Sequence, residues 1–350
     1  MNYFPKSICI LRLSALGDCI NAFGLVSAIR KQYPEVELTF VVDKRFSSLF
    51  KKDDGSFIVP TIAVDIKKDG LFKACMFVRN ELKHKRFDAL YNLQTSLKAS
   101  LISLFIKADK KFGYDAQRRR EGQLLFINHQ VKSPENPHVL AGFMAFAHET
   151  GFENLKPNWD FCFSDDEIAQ ADELLPNCNK IFCIAPASAK KVKNWTVDGY
   201  SVLAQYAIKK GFNVVLLGSN NPLELDLCNQ IEQRINHNCT NLCGKTNLRV
   251  LAAVIKQAKL VLSPDSAAMH LSSAQNVPVI GLFAIHNPDR VGSWNYRNLE
   301  VSVYQKLAKK ELAGEATNWR YRVKNEDGMK EITVESVKEA FDKAVTTYNL

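Results

Sequence analysis

Leu13-Ser14-Ala15-Leu16-Gly17-Asp18 ends an apolar, strand-like run and delivers a carboxylate where a helical pattern begins. A carboxylate at such a place has two uses. It caps the helix expected to start around Cys19 by accepting from backbone N–H groups, or it takes a proton from a bound hydroxyl as a general base. Spacing alone leaves both open. Gly17 permits a tight turn and close backbone approach. No G-x-G-x-x-G fingerprint or Walker-type loop is present, which argues against a dinucleotide or P-loop site here.

Two later segments carry complementary chemistry. Ala185-Pro186-Ala187-Ser188-Ala189-Lys190-Lys191-Val192-Lys193-Asn194-Trp195 follows a strand-like run; its small residues let a ligand approach backbone N–H groups while ammonium groups neutralise phosphate. Lys190 and Lys191 fit a solvated basic loop, whereas Lys193 stands two residues before Trp195, an aromatic able to pin it. Ser263-Pro264-Asp265-Ser266-Ala267-Ala268-Met269-His270 runs from a strand end into a helix whose first-turn N–H groups and dipole suit a diphosphate. Asp265 or Ser266 as an ordinary N-cap is compatible with a ligand contact. His270, one turn along, also fits a satisfied core histidine. Gly218 to Glu224 and Cys243-Gly244-Lys245-Thr246 are loops in their own right, and Glu224 is able to accept from ribose hydroxyls. Paired metal-ligand spacing, a G-x-S-x-G elbow and a Cys/His nucleophile pair are all missing from the sequence.

The elements that must position these residues alternate. Strand-like runs at 8–13, 37–42 and 89–93 flank a helical pattern at 20–32, which reads as a parallel sheet covered by helices. Between 109 and 130 the pattern loosens into Lys110-Lys111-Phe112-Gly113-Tyr114 and Arg118-Arg119-Arg120-Glu121-Gly122, a basic, loop-like region whose default is a solvated face. Phe163-Ser164-Asp165-Asp166-Glu167 resembles a helix N-terminus with acidic residues in its first turn, followed by the breaker Pro176-Asn177. Alternation then restarts: strands at 181–185, 213–217, 260–263 and 277–283, helices at 198–210, 247–259 and 266–274. An amphipathic helix at 333–348 places Val334, Val337, Phe341, Ala344 and Val345 on one face. The expected organisation is an α/β lobe over 1–163, a linker over 164–179, a second α/β lobe over 180–332 and a terminal helix over 333–350.

The bulk numbers agree with two lobes. The 350 residues are 46% hydrophobic, enough for two cores, and 46 Lys+Arg against 37 Asp+Glu give a net charge of +9 that favours anionic partners. The apolar run 99–106 is too short to span a bilayer and is closed by Lys98 and Lys107, and the start of the chain lacks the pattern of a secretory signal. A cytosolic protein is expected. Nine cysteines without a C-x-x-C pair, several within apolar runs, read as reduced core residues.

Taken together, the Ser14 to Asp18 turn, Phe112-Gly113-Tyr114 with the Arg118 to Gly122 run, 186–195 and 264–271 resemble glycosyltransferase family 9, the heptosyltransferases of lipopolysaccharide core assembly. The resemblance implies two Rossmann-like lobes of GT-B type with the active site in the inter-lobe cleft. It implies an inverting transferase using ADP-heptose, with no cofactor and no metal requirement. Asp18 would be the general base, with Ser188 and Lys193 on the donor phosphates. Asp265, with Ser266, Ala267 and His270 at the helix start, would contact the donor, and Glu224, Lys245 and Thr246 would meet ribose and adenine. Ser14, Gly17, Arg118, Arg119 and Arg120 would face a lipid-linked acidic acceptor, Kdo-lipid A or a heptosylated core, from a peripheral position on the cytoplasmic side of the inner membrane. The last helix would pack back on the first lobe. Two departures stand out: Ser266-Ala267 where Thr-Gly is common, and Phe283-Ala284-Ile285-His286-Asn287-Pro288 in place of an F-G-P-T-D-P type segment. A family member with another nucleotide-sugar donor, a nucleotide-sugar epimerase and a non-catalytic basic nucleic-acid-binding protein are the alternatives. The last lacks a recognisable reading module, so nucleic acid is not an expected partner.

Overall fold

Apolar runs bounded by polar turns become the strands of two parallel six-stranded sheets. In the computed structural model, residues 3–176 and 180–350 are described; Asn177 of the expected breaker and positions 177–179 of the expected linker lie outside them. The chain divides into two units, Met1–Cys162 and Phe163–Leu350.

In the first unit the strands are β1 (Ser7–Leu11), β2 (Glu37–Asp43), β3 (Thr61–Val64), β4 (Phe87–Asn92), β5 (Ala108–Tyr114) and β6 (His129–Val131), in the order β3-β2-β1-β4-β5-β6. In the second they are β7 (Ile181–Ile184), β8 (Asn213–Leu216), β9 (Thr240–Asn241), β10 (Leu260–Pro264), β11 (Val279–Phe283) and β12 (Val301–Ser302), in the order β12-β11-β10-β7-β8-β9. Each sheet grows outward from its first strand and then resumes on that strand's other side. The switch points therefore lie between β1 and β4 and between β7 and β10, where open α/β sheets bind ligands beyond their carboxyl ends. Helices cover both faces, so Ile8, Cys9, Ile10 and Leu11 of β1 are fully buried.

The helix Leu16–Gln32 follows β1 and is buried along most of its length. A segment near the end of the unit covers it: Trp159 Nε1 donates to the Ile20 carbonyl at 2.7 Å and Asn158 N to the Gly24 carbonyl at 3.1 Å. Phe161 stacks on Phe23 with centroids 5.6 Å apart. Gly24 makes this approach possible, because a Cβ there would lie 2.6 Å from the Trp159 ring.

Several expectations change. The stretch 110–114 is not a loop but part of β5: its lysines obscure a strand whose Phe112, Gly113 and Tyr114 are buried, and Lys111 Nζ is spent on the Ser103 carbonyl at 2.9 Å. Strand β3 and the helix Ile66–Glu81 have no counterpart in the sequence reading. The expected linker 164–179 is, over its first part, a helix, Asp165–Leu174, with a capping box in which Glu167 N donates to Ser164 Oγ and Ser164 N to Glu167 Oε2. Glu167 also receives Arg249 Nε and Nη2, each at 2.5 Å, which secures this helix to the second unit. The final helix, Val334–Tyr348, likewise spends its apolar face within the second unit, where the expectation was the first lobe: Phe341 meets Phe182 and Phe212 edge-on at 5.2 and 5.3 Å. Among the described residues the cysteines are free thiols, most of them buried, and no helix is long and apolar enough to cross a membrane.

Candidate active site

The Ser14 to Asp18 turn resolves one alternative left open by spacing. The helix begins at Leu16, not Cys19; its N-cap is Ala15, without a side-chain cap, and Asp18 is the third helical residue. Its carboxylate pairs with the Arg12 guanidinium, not with a backbone N–H, so Asp18 is not a cap. It remains 30% exposed, and the helix N-terminus around it favours negative charge. Arg12 is held in turn by the Leu93 carbonyl at 2.7 Å and by the Phe143 ring, 5.5 Å from its guanidinium carbon. Gly17 lies inside the first helical turn without a positive φ, so it does not make the bend; the bend is at Ser14-Ala15, whose peptide is cis. Gln94, just past β4, supports that bend: its Oε1 accepts from Leu13 N at 2.8 Å and Ser14 N at 3.1 Å. Sequence reasoning missed Arg12 and Gln94. The one visible signal was a cation inside the apolar run Leu11-Arg12-Leu13.

The three arginines expected to meet the acceptor do not act alike. Arg118 is 2% exposed and donates to the Asn136 and His138 carbonyls at 3.0 and 3.3 Å, over Gly142, where a Cβ would overlap the guanidinium. It is committed to the fold and does not present its charge to solvent. Arg119 donates to Gln130 Oε1 at 3.0 Å, and Arg120 is exposed. Gln123, buried behind them, donates to the Asn92 and Gln94 carbonyls, which fastens this segment to the edge that carries the Asp18 turn.

In the second unit three neighbouring strands, β7, β10 and β11, deliver one cluster beyond their carboxyl ends. Lys193 Nζ lies 2.5 Å from the Asp265 carbonyl oxygen and 3.1 Å from its Oδ2, and His286 Nδ1 lies 2.5 Å from the same Oδ2. Asp265 is 13% exposed. Burial alone would raise its pKa, but the His286 hydrogen bond and the nearby Lys193, His286 and His270 outweigh it and hold the carboxyl well below the usual range. The loop that carries Lys193 is rigid by construction: Asn194 Oδ1 accepts from Ser188 N at 2.8 Å, Tyr200 Oη donates to the Pro186 carbonyl, and buried Trp195 donates to the Ile332 carbonyl at 2.9 Å. Ser188 Oγ is turned back on the Lys190 carbonyl.

Neither Asp265 nor Ser266 gives the following helix a side-chain cap. That helix, Ala267–Ala274, has Ser266 as N-cap with no side-chain cap, and Ser266 Oγ pairs with Ser263 Oγ at 2.7 Å. The first-turn N–H groups at Ala267 and Ala268 are left without a capping side chain, the arrangement that receives an anion. His270 is buried one turn along. Glu224, Lys245 and Thr246 stand at the next two strand ends, after β8 and β9. Glu224 Oε2 accepts from Ser219 N at 2.7 Å, and Gly244 N donates to the Gly218 carbonyl, joining the two loops. Lys245 is exposed and Thr246 half-buried, and among the described residues neither is bonded to the Lys193 cluster.

An ammonium, an uncapped helix start and an oriented carboxylate at one sheet edge suit a diphosphate-bearing ligand. The family model described as glycosyltransferase family 9 (heptosyltransferase) matches residues 76–321, a span that holds Ser188, Lys193, Asp265 and His286. The chain belongs to this family. It is a glycosyltransferase, so the epimerase and non-catalytic readings give way. Over 335 residues it is 40% identical to lipopolysaccharide core heptosyltransferase OpsX of Haemophilus influenzae, covering 95% of each chain. The fold is that of GT-B family members: the family 9 glycosyltransferase from Veillonella parvula superposes with a TM-score of 0.79 at 19% identity, covering 99% of both chains. Escherichia coli heptosyltransferase WaaC with ADP superposes with a TM-score of 0.72 at 19% identity, covering 97% of this chain and 99% of that one.

Proposed function

We propose that this family 9 glycosyltransferase is an inverting heptosyltransferase that moves heptose from ADP-heptose to the lipopolysaccharide inner core, with Asp18 as general base. The observation that carries the base assignment is the Asp18 carboxylate itself: oriented by Arg12, spent on no backbone donor, and partly open at the carboxyl edge of β1. Heptose and the lipopolysaccharide core follow the OpsX relative, and the ADP moiety follows the structure of WaaC with ADP. In the proposed step the acceptor hydroxyl attacks the anomeric carbon, the bond from that carbon to the diphosphate oxygen breaks, ADP leaves with the electron pair, and the hydroxyl proton passes to Asp18. General-base assistance is worth about 10²–10⁴-fold. Lys193 and the N–H groups at Ala267 and Ala268 neutralise charge gathering on the diphosphate, so transfer is expected to persist in a chelator. Glu224, Lys245 and Thr246 border the nucleoside.

The acceptor is lipid-linked, and we assign the protein to the cytoplasmic face of the inner membrane. Supporting this, Leu97, Leu124 and Leu125 are 46%, 43% and 84% exposed in the first unit, beside exposed Arg120 and Lys98. Glu121 accepts from Leu97 N at 2.7 Å and so connects the two segments. Apolar knuckles among cations suit an anionic lipid surface. The deciding experiment incubates the purified protein with ADP-heptose and truncated lipopolysaccharide acceptors and follows ADP release and acceptor mass. A gain of one heptose supports the assignment; no gain with any acceptor while OpsX-type controls react overturns it.

A further inference from the structure

His286 stands where the family resemblance has threonine, in the segment that departs most from the family pattern, and it is bonded to a carboxylate assigned to the donor site. Its side chain is 12% exposed. Facing a carboxylate oxygen at 2.5 Å, Nδ1 must carry the proton, since two lone pairs would repel. The other ring nitrogen, Nε2, is buried and has no partner among the described residues, and the hydrogen bond the ring makes goes to Asp265. Its backbone is secured independently: it bridges to Arg322, and Val323 N donates to the Ile285 carbonyl at 3.0 Å. The imidazole is thus a fixed donor aimed at a fixed carboxylate.

The same Oδ2 is also held by Lys193, the cation assigned to the donor's diphosphate. Those two tasks compete. If Lys193 turned to a diphosphate and His286 were absent, Asp265 would be left largely buried and unpaired, and that cost would weaken donor binding. We propose that His286 is a positioning residue of the donor site: it keeps Asp265 bonded and in place when Lys193 leaves it for the donor's diphosphate. This rests on the donor assignment above.

The test titrates full-length protein with ADP by calorimetry and measures KM and kcat for the sugar nucleotide. His286→Ala is expected to weaken ADP binding and raise donor KM about ten- to hundredfold, the scale of a lost hydrogen bond to a charged group, with kcat moved much less. His286→Asn, which keeps an N–H near the Nδ1 position, should restore most of the affinity. In an Asp265→Asn background His286→Ala should change little, because the partner it acts through is altered. A merely structural role would lower Tm in both His286 variants without this dependence on Asp265. Unchanged ADP affinity in His286→Ala, or an equal loss in the Asp265→Asn background, overturns the role of His286. Wild-type protein that binds neither ADP nor ADP-heptose overturns the donor assignment and this proposal with it.

Discussion

Asp18 is paired with Arg12, six residues earlier in the chain, and its carboxylate touches no backbone N–H of the helix that carries it. The pair turns a carboxylate in a helix's first turn into an oriented group that the helix does not need for its own start. Arg12 is anchored by Leu93 and Phe143, so the orientation of Asp18 depends on β4 and the helix Val139–Glu149 as well as on its own strand.

Replacing Asp18 with Asn should therefore remove the proposed base and leave the fold. Transfer is expected to fall about 10²–10⁴-fold, with ADP affinity by calorimetry close to wild type. A near-wild-type rate of ADP release in the presence of acceptor would leave Asp18 as only a partner of Arg12.

Glu167 joins the capping box of Asp165–Leu174 to buried Arg249, and the guanidinium hydrogen bond, ahead of the penalty from burial, holds its carboxyl below the ordinary value of 4.5. A depressed carboxylate pKa stabilises the fold above its unfolded value and loses that stabilisation as pH falls through the folded one. Glu167→Gln should cost about 3 kcal/mol at neutral pH by leaving Arg249 without its carboxylate. The gap in urea midpoints between variant and wild type should narrow below pH 4.5; a gap independent of pH would mean that shape, not charge, holds the contact.

Gly24 tests how the first unit braces the helix that carries Asp18. Alanine favours a helix by about 0.5–1 kcal/mol over glycine, but the added methyl would meet the Trp159 ring at 2.6 Å. Overpacking of this kind costs about 1–3 kcal/mol, so Gly24→Ala should lower Tm, and Gly24→Ala with Trp159→Phe should recover part of the loss. A raised Tm in the single variant would show that the indole gives way freely.

Leu124 and Leu125 can be tested against lipid directly. Burying one leucine is worth about 1.5–3 kcal/mol, so Leu125→Asp should reduce co-sedimentation with phosphatidylglycerol vesicles about tenfold or more. Turnover of a water-soluble oligosaccharide acceptor should not change. Equal vesicle binding by variant and wild type would remove these leucines from the proposed membrane contact.

Much of this molecule is legible locally. The alternation of apolar runs and helical periods is set by residues close in sequence, and so are the helix start at Ser164 and the pinning aromatic Trp195; these signals survive into the structure. Charged residues misled where a strand is only half buried, as at Lys110 and Lys111, because periodicity cannot show that the apolar half of β5 faces a sheet interior. They misled again at Arg118, whose guanidinium is satisfied by carbonyls near the helix Val139–Glu149 and so is hidden. The role of Arg12 was invisible because its partners Leu93 and Phe143 come from distant elements.

By itself the sequence determined the α/β class and the family, since both are written in the order and spacing of neighbouring residues. Only the tertiary structure decided which side chains meet. Lys193 and Asp265 are 72 residues apart, and Asp265 and His286 are 21 apart. They share one carboxylate oxygen because β7, β10 and β11 are adjacent in the sheet, and that adjacency comes from the burial of both sheet faces and the reversal of strand order beside β7.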